Sequence, residues 1–555
     1  MRALYFVDTI EFAYIWDLKY VSSTGMRYRF FRNTFCVISA LLALPLYGWA
    51  QGGDSFVQRR STADYDTPDR NLVYGFESIG TLSNGSYAPF WFTSNRQGLS
   101  SEKRNSGLMH FAAIGDMTLT DNFVVDYGMD LGVGAGLRSN WIIHQLFFDM
   151  NYKWIGLEVG MKERWGELKN RNLSAGGLTW SGNSQPIPQM RVGIPDFVRI
   201  PILGRWFSVK GHVGYGRLID DKWRKSQVES ADDGNKYTDA LLFHSKALFL
   251  KIGDKDRFPF DATVGLEMYS VFGGTLHNRV LYTDEILEEH NLPSGPNAYM
   301  TVLLPFNKVG EQGKENGNNL GSWHLSLDYH GNEWGVRAYY EHFFEDHSSM
   351  IGVEYKNDLE GKKGFVNYGF KRNWLDGIWG VEVNLKESSP VRNVVFEVLN
   401  TRGQCGPVYR APVFPVEEGV DGCDGMYNHE LYDSYSMSGY AIGSPILVSP
   451  VYNKDYSQRF RSNRVLSYHL GVDGGFGEKW DYRALFTHTT HWGTYEDPLN
   501  EIQKVTSCLL EGSYRLGDAY SWKIGLSLGL DFNDGDLLGN NTGIMVTLSK
   551  LWKVL

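Results

Sequence analysis

The chain has 555 residues, 62 of them glycine and 14% aromatic, with a formal net charge of −10. A glycine share above the usual ~7% without a Gly-X-Y period excludes collagen, the aromatic content with few charges excludes a disordered chain, and the negative balance removes the footing for nucleic-acid binding. Beyond residue 50 no run reaches the ~18 apolar residues that a membrane-spanning helix needs, so any membrane crossing has to be made by strands.

Arg27, Arg29 and Arg32 precede an apolar run from Phe35 to Leu46, and Gly48-Trp49-Ala50 puts small residues at the −3 and −1 positions of a cut before Gln51. That is the layout of a secretory signal peptide. Asp8, Glu11 and Asp17 stand awkwardly ahead of it, so residues 1–25 read as a misassigned start, 26–50 as the signal, 51–70 as a periplasmic N-terminal segment and 71–555 as the body. Cys36 follows Asn33-Thr34-Phe35 and has no lipobox.

The body alternates at period two. Trp323, Leu325, Leu327 and Tyr329 alternate with His324, Ser326, Asp328 and His330; Val381, Val383 and Leu385 with Glu382, Asn384 and Lys386; Leu466, Tyr468, Leu470 and Val472 with Ser467, His469, Gly471 and Asp473; Ile524, Leu526, Leu528 and Leu530 with Gly525, Ser527, Gly529 and Asp531. Each run has one complete apolar face and one small or charged face, as a half-buried strand requires. Three features favour a transmembrane antiparallel outer-membrane β-barrel over a soluble sandwich: segments of about ten residues, aromatics near strand ends such as Trp323, Tyr329, Trp334, Tyr340 and Tyr514, and the signal peptide. The apolar face then meets lipid and the polar face the lumen. Arg is expected to be costly at Leu466, Leu470, Leu526 or Leu528 and tolerated at Ser467 or Ser527 if space allows.

Connections near 331–333, 386–391, 476–480 and 516–520 are short, whereas those near 306–321, 401–463, 491–504 and 532–541 are longer and polar. Short periplasmic turns and long external loops are the barrel pattern. Segments 344–349 and 357–363 break the alternation. About twenty strand candidates reduce to an even number near eighteen, with small helical segments in loops or at the periplasmic face. Cys405 and Cys423 flank a Pro/Gly-rich stretch and are the local candidates for a disulfide, closing part of a large external loop at about 401–463. Closure would remove roughly 3 kcal/mol of chain entropy from the unfolded state. Cys508 lies inside a strand pattern.

Tyr87 to Leu99 (YAPFWFTSNRQGL), Leu173 to Asn183 (LSAGGLTWSGN) leading into Pro186-Ile187-Pro188-Gln189, Tyr340 to Asp346, Gly377 to Glu382, Glu397 to Thr401, Ile442 to Pro445 and Asn463 to Val465 are linked motifs in a fixed order. Together they resemble the capsule-assembly Wzi family of outer-membrane proteins. The resemblance runs over nearly the whole body. It implies an 18-stranded barrel without enzymatic activity or cofactor that binds capsular or other surface polysaccharide and helps assemble or retain it, with outer-membrane lipid around it and the capsule export machinery as a candidate partner. The ending Val554-Leu555 departs from the terminal aromatic common in such barrels, although Trp552 is close.

Other chemistry finds little support. His488 and His491 point to opposite faces of a strand and cannot share a metal. Asp531 to Asp536 has Gly535 at position 5 and Thr542 at position 12, which does not fit a calcium loop. Glu341, Glu382, Glu397, Arg337 and Arg464 are expected as polar lumen residues in structural pairs. The glycan-binding candidates are Trp91, Asn95, Arg96, Tyr427, Asn428, Tyr432, Asp433, Tyr435 and Trp492, because aromatic faces stack on sugar C–H faces while Asn, Asp and Arg bond hydroxyls. The competing reading is that these aromatics pack the loops into a lid. The negative chain does not argue for an anionic capsule as ligand, although local Arg/Lys clusters could bind one. A porin or substrate-selective channel, or a protein-recruiting scaffold, would use the same barrel.

Overall fold

A computed structural model of the chain describes residues 71–200, 204–231, 236–254, 257–280, 286–304, 317–345, 353–357, 363–367, 375–385, 389–404 and 425–554. The readings of 1–70 as start, signal and periplasmic segment, and of Cys405 with Cys423 as a disulfide, lie outside these residues. Among the described residues no helix is long and apolar enough to cross a membrane.

The fold is a closed antiparallel barrel of 18 strands. They are β1 (Asn71–Asn84), β2 (Asn105–Thr120), β3 (Phe123–Ala135), β4 (Trp141–Tyr152), β5 (Ile155–Met161), β6 (Gln189–Arg199), β7 (Phe207–Arg217), β8 (Leu242–Gly253), β9 (Phe260–Phe272), β10 (Asn318–His330), β11 (Trp334–Glu345), β12 (Gly377–Leu385), β13 (Val391–Asn400), β14 (Val465–Phe476), β15 (Trp480–Gly493), β16 (Pro498–Arg515), β17 (Lys523–Asn533) and β18 (Asn541–Val554). Each pairs with its sequence neighbours, and β18 closes on β1 in a register that sets Tyr74 opposite Trp552 and Ile79 opposite Thr547. Closure leaves no edge strand with unpaired N–H and C=O groups, the condition for strands to lie in lipid.

The predicted faces are found. Leu466, Tyr468 and Leu470 on β14, Val381 on β12 and Leu526, Leu528 and Leu530 on β17 point outward, while Ser467, His469, Glu382, Ser527 and Asp531 are buried inside. Aromatic side chains mark the short-turn rim: Phe258, Phe260, Tyr329 and Trp334 succeed one another at ring separations of 5.4, 4.9 and 4.8 Å. Trp480 meets Tyr514 at 4.7 Å on the same rim. Toward the opposite end Tyr340 stacks on Trp379 at 4.1 Å. These are interfacial girdles in position and composition.

One end of the barrel carries tight turns, such as Asp121-Asn122 and Lys153-Trp154, while the other carries connections spanning 85–104, 162–188, 218–241, 273–317, 346–376 and 401–464. The broken alternation at 344–363 resolves here, because Val353–Asn357 and Lys363–Asn367 pair with each other outside the barrel sheet, within one long connection. The expected long loop at 491–504 is instead the hairpin 494–497, closed by Thr494 N–H to the Asp497 carbonyl at 3.1 Å. Polar residues there mark where the strands leave the apolar band, not where they stop. The described α-helices, α1 (Phe90–Thr93), α2 (Asp221–Ser230) and α3 (Pro296–Leu303), and a 3-10 turn at Pro450–Tyr452 all belong to long connections.

Candidate functional site

The hydrophobic core of this barrel lies in its lumen. Three connections fold inward and fill it: 85–104, 162–188 and 425–463, with 88–94, most of 173–187 and most of 425–463 buried. The wall makes room for them. A Cβ on Gly529 would stand 2.6 Å from Pro89 Cβ, and one on Gly543 would stand 2.9 Å from a Phe92 ring carbon, so the small inward face of β17 and β18 is what admits α1.

Lumen carboxylates hold this plug by its backbone. Glu341 accepts from the N–H groups of Leu178 (2.8 Å) and Thr179 (3.3 Å) and is ion-paired with Lys169 of the same segment. Glu397 accepts from Ala175 N–H and Ser174 Oγ, both at 2.7 Å, and from Tyr339 Oη at 2.5 Å. Glu382 accepts from Asn170 Nδ2 at 2.9 Å. Asp531 accepts from Phe90 N–H at 2.9 Å, and Trp91 Nε1 donates to Thr487 Oγ1 at 3.2 Å. A buried carboxylate that accepts two or three N–H or O–H groups is both satisfied and oriented. Arg337 pairs with Asp328 at 2.5 Å, as a structural pair. Arg464 departs from the lumen expectation, resting over the Tyr495 ring at 3.9 Å near the long-loop end.

The three plug segments also bind one another. Gln97 N–H reaches the Gly182 carbonyl at 2.6 Å and Ser181 N–H reaches the Ile442 carbonyl at 3.0 Å. Tyr435 Oη donates to the Thr179 carbonyl at 2.9 Å. Tyr427 Oη donates to the Leu178 carbonyl and accepts from Ser444 N–H. Burial pushes the Tyr427 and Tyr435 phenols well above their ordinary range.

Most of the glycan-binding candidates lie inside the plug, as the competing reading of aromatics that pack the loops expects. Trp91, Tyr427, Tyr432 and Tyr435 are buried in the plug. Asn428 is buried too, exchanging hydrogen bonds with the backbone of Phe460 at 2.8 and 2.9 Å. Asp433 is ion-paired with Arg279 and lies 3.7 Å from Arg224. Asn95 donates its N–H to Asn183 Oδ1 at 3.3 Å, and Arg96 pairs with Glu511 at 2.9 Å. Trp492 is half-buried beneath Arg402 at 5.3 Å. The physical reason is that connections of this chain fold into a lumen that an 18-stranded barrel can otherwise leave water-filled, and the aromatics of 425–463 pack there out of water. The short apolar stretches Ala441-Ile442 and Ile446-Leu447-Val448, which show no alternation, were the sequence signal for it.

His488 and His491 bond separately, to Thr506 Oγ1 at 2.8 Å and Ser462 Oγ at 3.1 Å. Cys508 is a half-buried free thiol.

Two concavities stand out among the described residues. At the long-loop end a groove of about 620 Å³ is lined by Tyr87, Lys103, Arg104, Asn453, Lys454 and Tyr456, together with the carboxylate of Glu102. Tyr456 is 45% exposed there. None of these except Tyr87 stood out in the sequence, since single Lys, Arg and Tyr residues carry no pattern. At the short-turn end a cavity of about 780 Å³ runs from Trp180 of the plug to Tyr520 in a turn.

No protein-family model and no curated protein matches the chain. Solved structures do. One is the Escherichia coli outer-membrane protein Wzi, described as involved in group 1 capsule assembly and as a carbohydrate-binding β-barrel: TM-score 0.50 and 12% identity, over 85% of this chain and 83% of that one. OccK5 (OpdH) of Pseudomonas aeruginosa matches with TM-score 0.43 and 8% identity over 88% and 99% of the two chains. The outer membrane protein OprD of the same organism matches with TM-score 0.42 and 8% identity over 87% and 94%. At these identities the likeness is one of fold. The chain is an outer-membrane-type β-barrel.

Proposed function

We propose that this chain is a non-enzymatic polysaccharide-binding barrel of the outer membrane that helps assemble or retain capsular or other surface polysaccharide at the cell surface, as membership of the Wzi family would imply. The observation that carries the reading is the filled lumen. The stretches that resemble the family meet there: 87–99, 173–183 and 442–445 are the plug segments that bond one another, and Glu341, Glu382 and Glu397 are the wall groups that hold 162–188. A lumen spent on a core is poorly suited to passing solute and well suited to presenting a rigid outer face.

With long loops outward and short turns toward the periplasm, the groove lined by Tyr87, Tyr456, Lys103, Arg104 and Lys454 faces the capsule side. It joins aromatic ring faces with cations, the combination that holds an anionic glycan. Protein partners such as the capsule export machinery would meet the same face.

The test is capsule shedding. Deleting the gene should release polysaccharide into the medium, and re-expression of Lys103→Glu/Arg104→Glu/Lys454→Glu should fail to restore retention; unchanged cell-bound polysaccharide in the deletion strain would refute the reading. A second reading, a substrate-selective channel, draws on the cavity of about 780 Å³ at the short-turn end. It requires the plug to move.

A further inference from the structure

The outward row of β8 changes character along its length. Leu248, Leu250 and Ile252 carry the lipid-facing side, with Leu248 60% exposed, but the same parity toward the long-loop end brings His244 and Lys246. Their neighbours Phe243 and Ser245 face the lumen, where Phe243 lies 6.0 Å from Trp180 and Ser245 donates to Gln189 Oε1 at 2.7 Å. A polar or charged group on the outer side of a membrane barrel is unfavourable unless something other than lipid meets it.

α3 meets it from outside the wall. The helix begins at Pro296, whose missing N–H costs nothing in a first turn. Ala298 and Val302 pack on Phe272 of β9. Tyr299 lies 5.0 Å from Tyr215 of β7 and edge-on to Phe272 at 5.2 Å. Tyr215 in turn covers the His244 ring at 4.5 Å and donates its hydroxyl to the Tyr299 carbonyl at 2.9 Å. Lys246 Nζ donates to the carbonyls of Val302 at 2.6 Å and Leu303 at 2.8 Å. Those carbonyls belong to the last turn, the negative end of the helix, so cation and helix end satisfy each other.

The same helix keeps apolar surface that the wall does not use. Met300 and Leu304 are 51% and 52% exposed, and the Leu304 N–H bonds the Met300 carbonyl at 2.9 Å, which sets the two side by side one turn apart. Asn297 and Thr301, likewise a turn apart, form the polar flank. Lys246 is two residues from Leu248, about 7 Å along a strand. The end of α3 therefore stands at the edge of the lipid-facing band, with polar wall groups beneath it and apolar side chains turned away from the wall. That combination of depth and polarity fits a helix lying in a membrane interface.

We propose that α3 is an interfacial helix of the outer leaflet, with Met300 and Leu304 entering the acyl chains while Lys246 ties its end to the wall. It continues the lipid-facing surface over a stretch where the wall itself turns polar, and so fixes the depth of the barrel on the β7 to β9 side. The inference goes beyond the polysaccharide reading and does not depend on what the long-loop face binds.

The test places a nitroxide on the full chain at Met300→Cys, Leu304→Cys and Asn297→Cys, with the native cysteines replaced by serine and the protein reconstituted in phosphatidylcholine vesicles. Leu248→Cys serves as the lipid reference and Glu496→Cys, in the 494–497 hairpin, as the water reference; heat-modifiable gel mobility checks folding of each. Power saturation compares collisions with oxygen, which concentrates among acyl chains, and with a water-soluble nickel chelate. The oxygen-to-chelate ratio at 300 and 304 should exceed that at 496 by about threefold or more and approach that at 248, with 297 lower than both. A ratio at 300 and 304 equal to that at 496 overturns the proposal. So do weak collisions with both reagents, which would put protein over the helix, and spin–spin broadening at 300 that vanishes on dilution with unlabelled chain, which would put a second copy there.

Discussion

Leu526 and Ser527 are adjacent in the wall and opposite in environment, 51% and 1% exposed, whereas Ala441 to Val448 in the plug is buried residue after residue. In the wall the pleat assigns each side chain to one of two media, and sequence period reports the assignment. In the plug no backbone repeat assigns anything. Burial there follows from which wall groups meet the segment, and those come from strands far away in sequence.

The sharpest way to break this contrast is to remove a wall group the plug depends on. Glu341→Leu leaves the Lys169 ammonium and the N–H groups of Leu178 and Thr179 buried without their acceptor. Removing one partner of such a buried pair costs about 3–5 kcal/mol. The melting midpoint in detergent should fall and segment 162–188 should become protease-sensitive, with the barrel strands intact; unchanged melting and resistance would show that the plug is held otherwise.

Next in size is the outward face. Leu528→Arg should cost about 2–4 kcal/mol at mid-membrane depth, read as reduced barrel yield on refolding into vesicles. The structure also revises what the inward face tolerates: Ser467 Oγ bonds Thr489 Oγ1 at 2.7 Å and Ser527 Oγ donates to Glu511 at 3.0 Å against the plug, so Arg is expected to be refused there too. Free acceptance of Arg at Ser467 would mean an open lumen.

Within the plug, Tyr427→Phe removes the hydroxyl that joins Leu178 to Ser444. Leaving those backbone groups unmatched costs about 1–3 kcal/mol, to be measured by denaturant unfolding of the plug. The smallest effect is spectroscopic. Burial raises the Tyr427 and Tyr435 phenols, and burial with the neighbouring Glu102 raises Tyr440. An unfolded tyrosine ionises near ~10, so their stabilisation is complete below that pH and is lost as pH climbs toward the folded values. Tyrosinate absorbance should rise in two steps, exposed phenols first; a single step near the ordinary value would mean that the plug phenols reach water.

The barrel was legible because Leu526, Leu528 and Leu530 against Ser527 and Gly529 report the pleat directly, and because turn and loop lengths alternate. Glu341, Glu382 and Glu397 were legible as inward groups by the same parity, but their partners were not. Lys169, Asn170 and Ser174 arrive from a connection whose fold no period encodes. Tyr427, Tyr432 and Tyr435 looked like a sugar-stacking surface because aromatics amid Asn and Asp suit either a glycan face or a buried polar-edged core. Composition does not separate the two. The glycines did hold a clue: Gly529 and Gly543 on an inward face are wasteful beside water and necessary beside Pro89 and Phe92.

The central claim, that the lumen of this barrel is filled by its own chain, on which the proposal of a binding role rests, is tested most directly by reconstituting the full protein in planar bilayers. The account predicts no stable ohmic conductance for the native chain and the appearance of conductance in Glu341→Leu/Glu397→Leu, where the plug loses its wall contacts. Steady conductance of the native protein, unchanged by those substitutions, would contradict it.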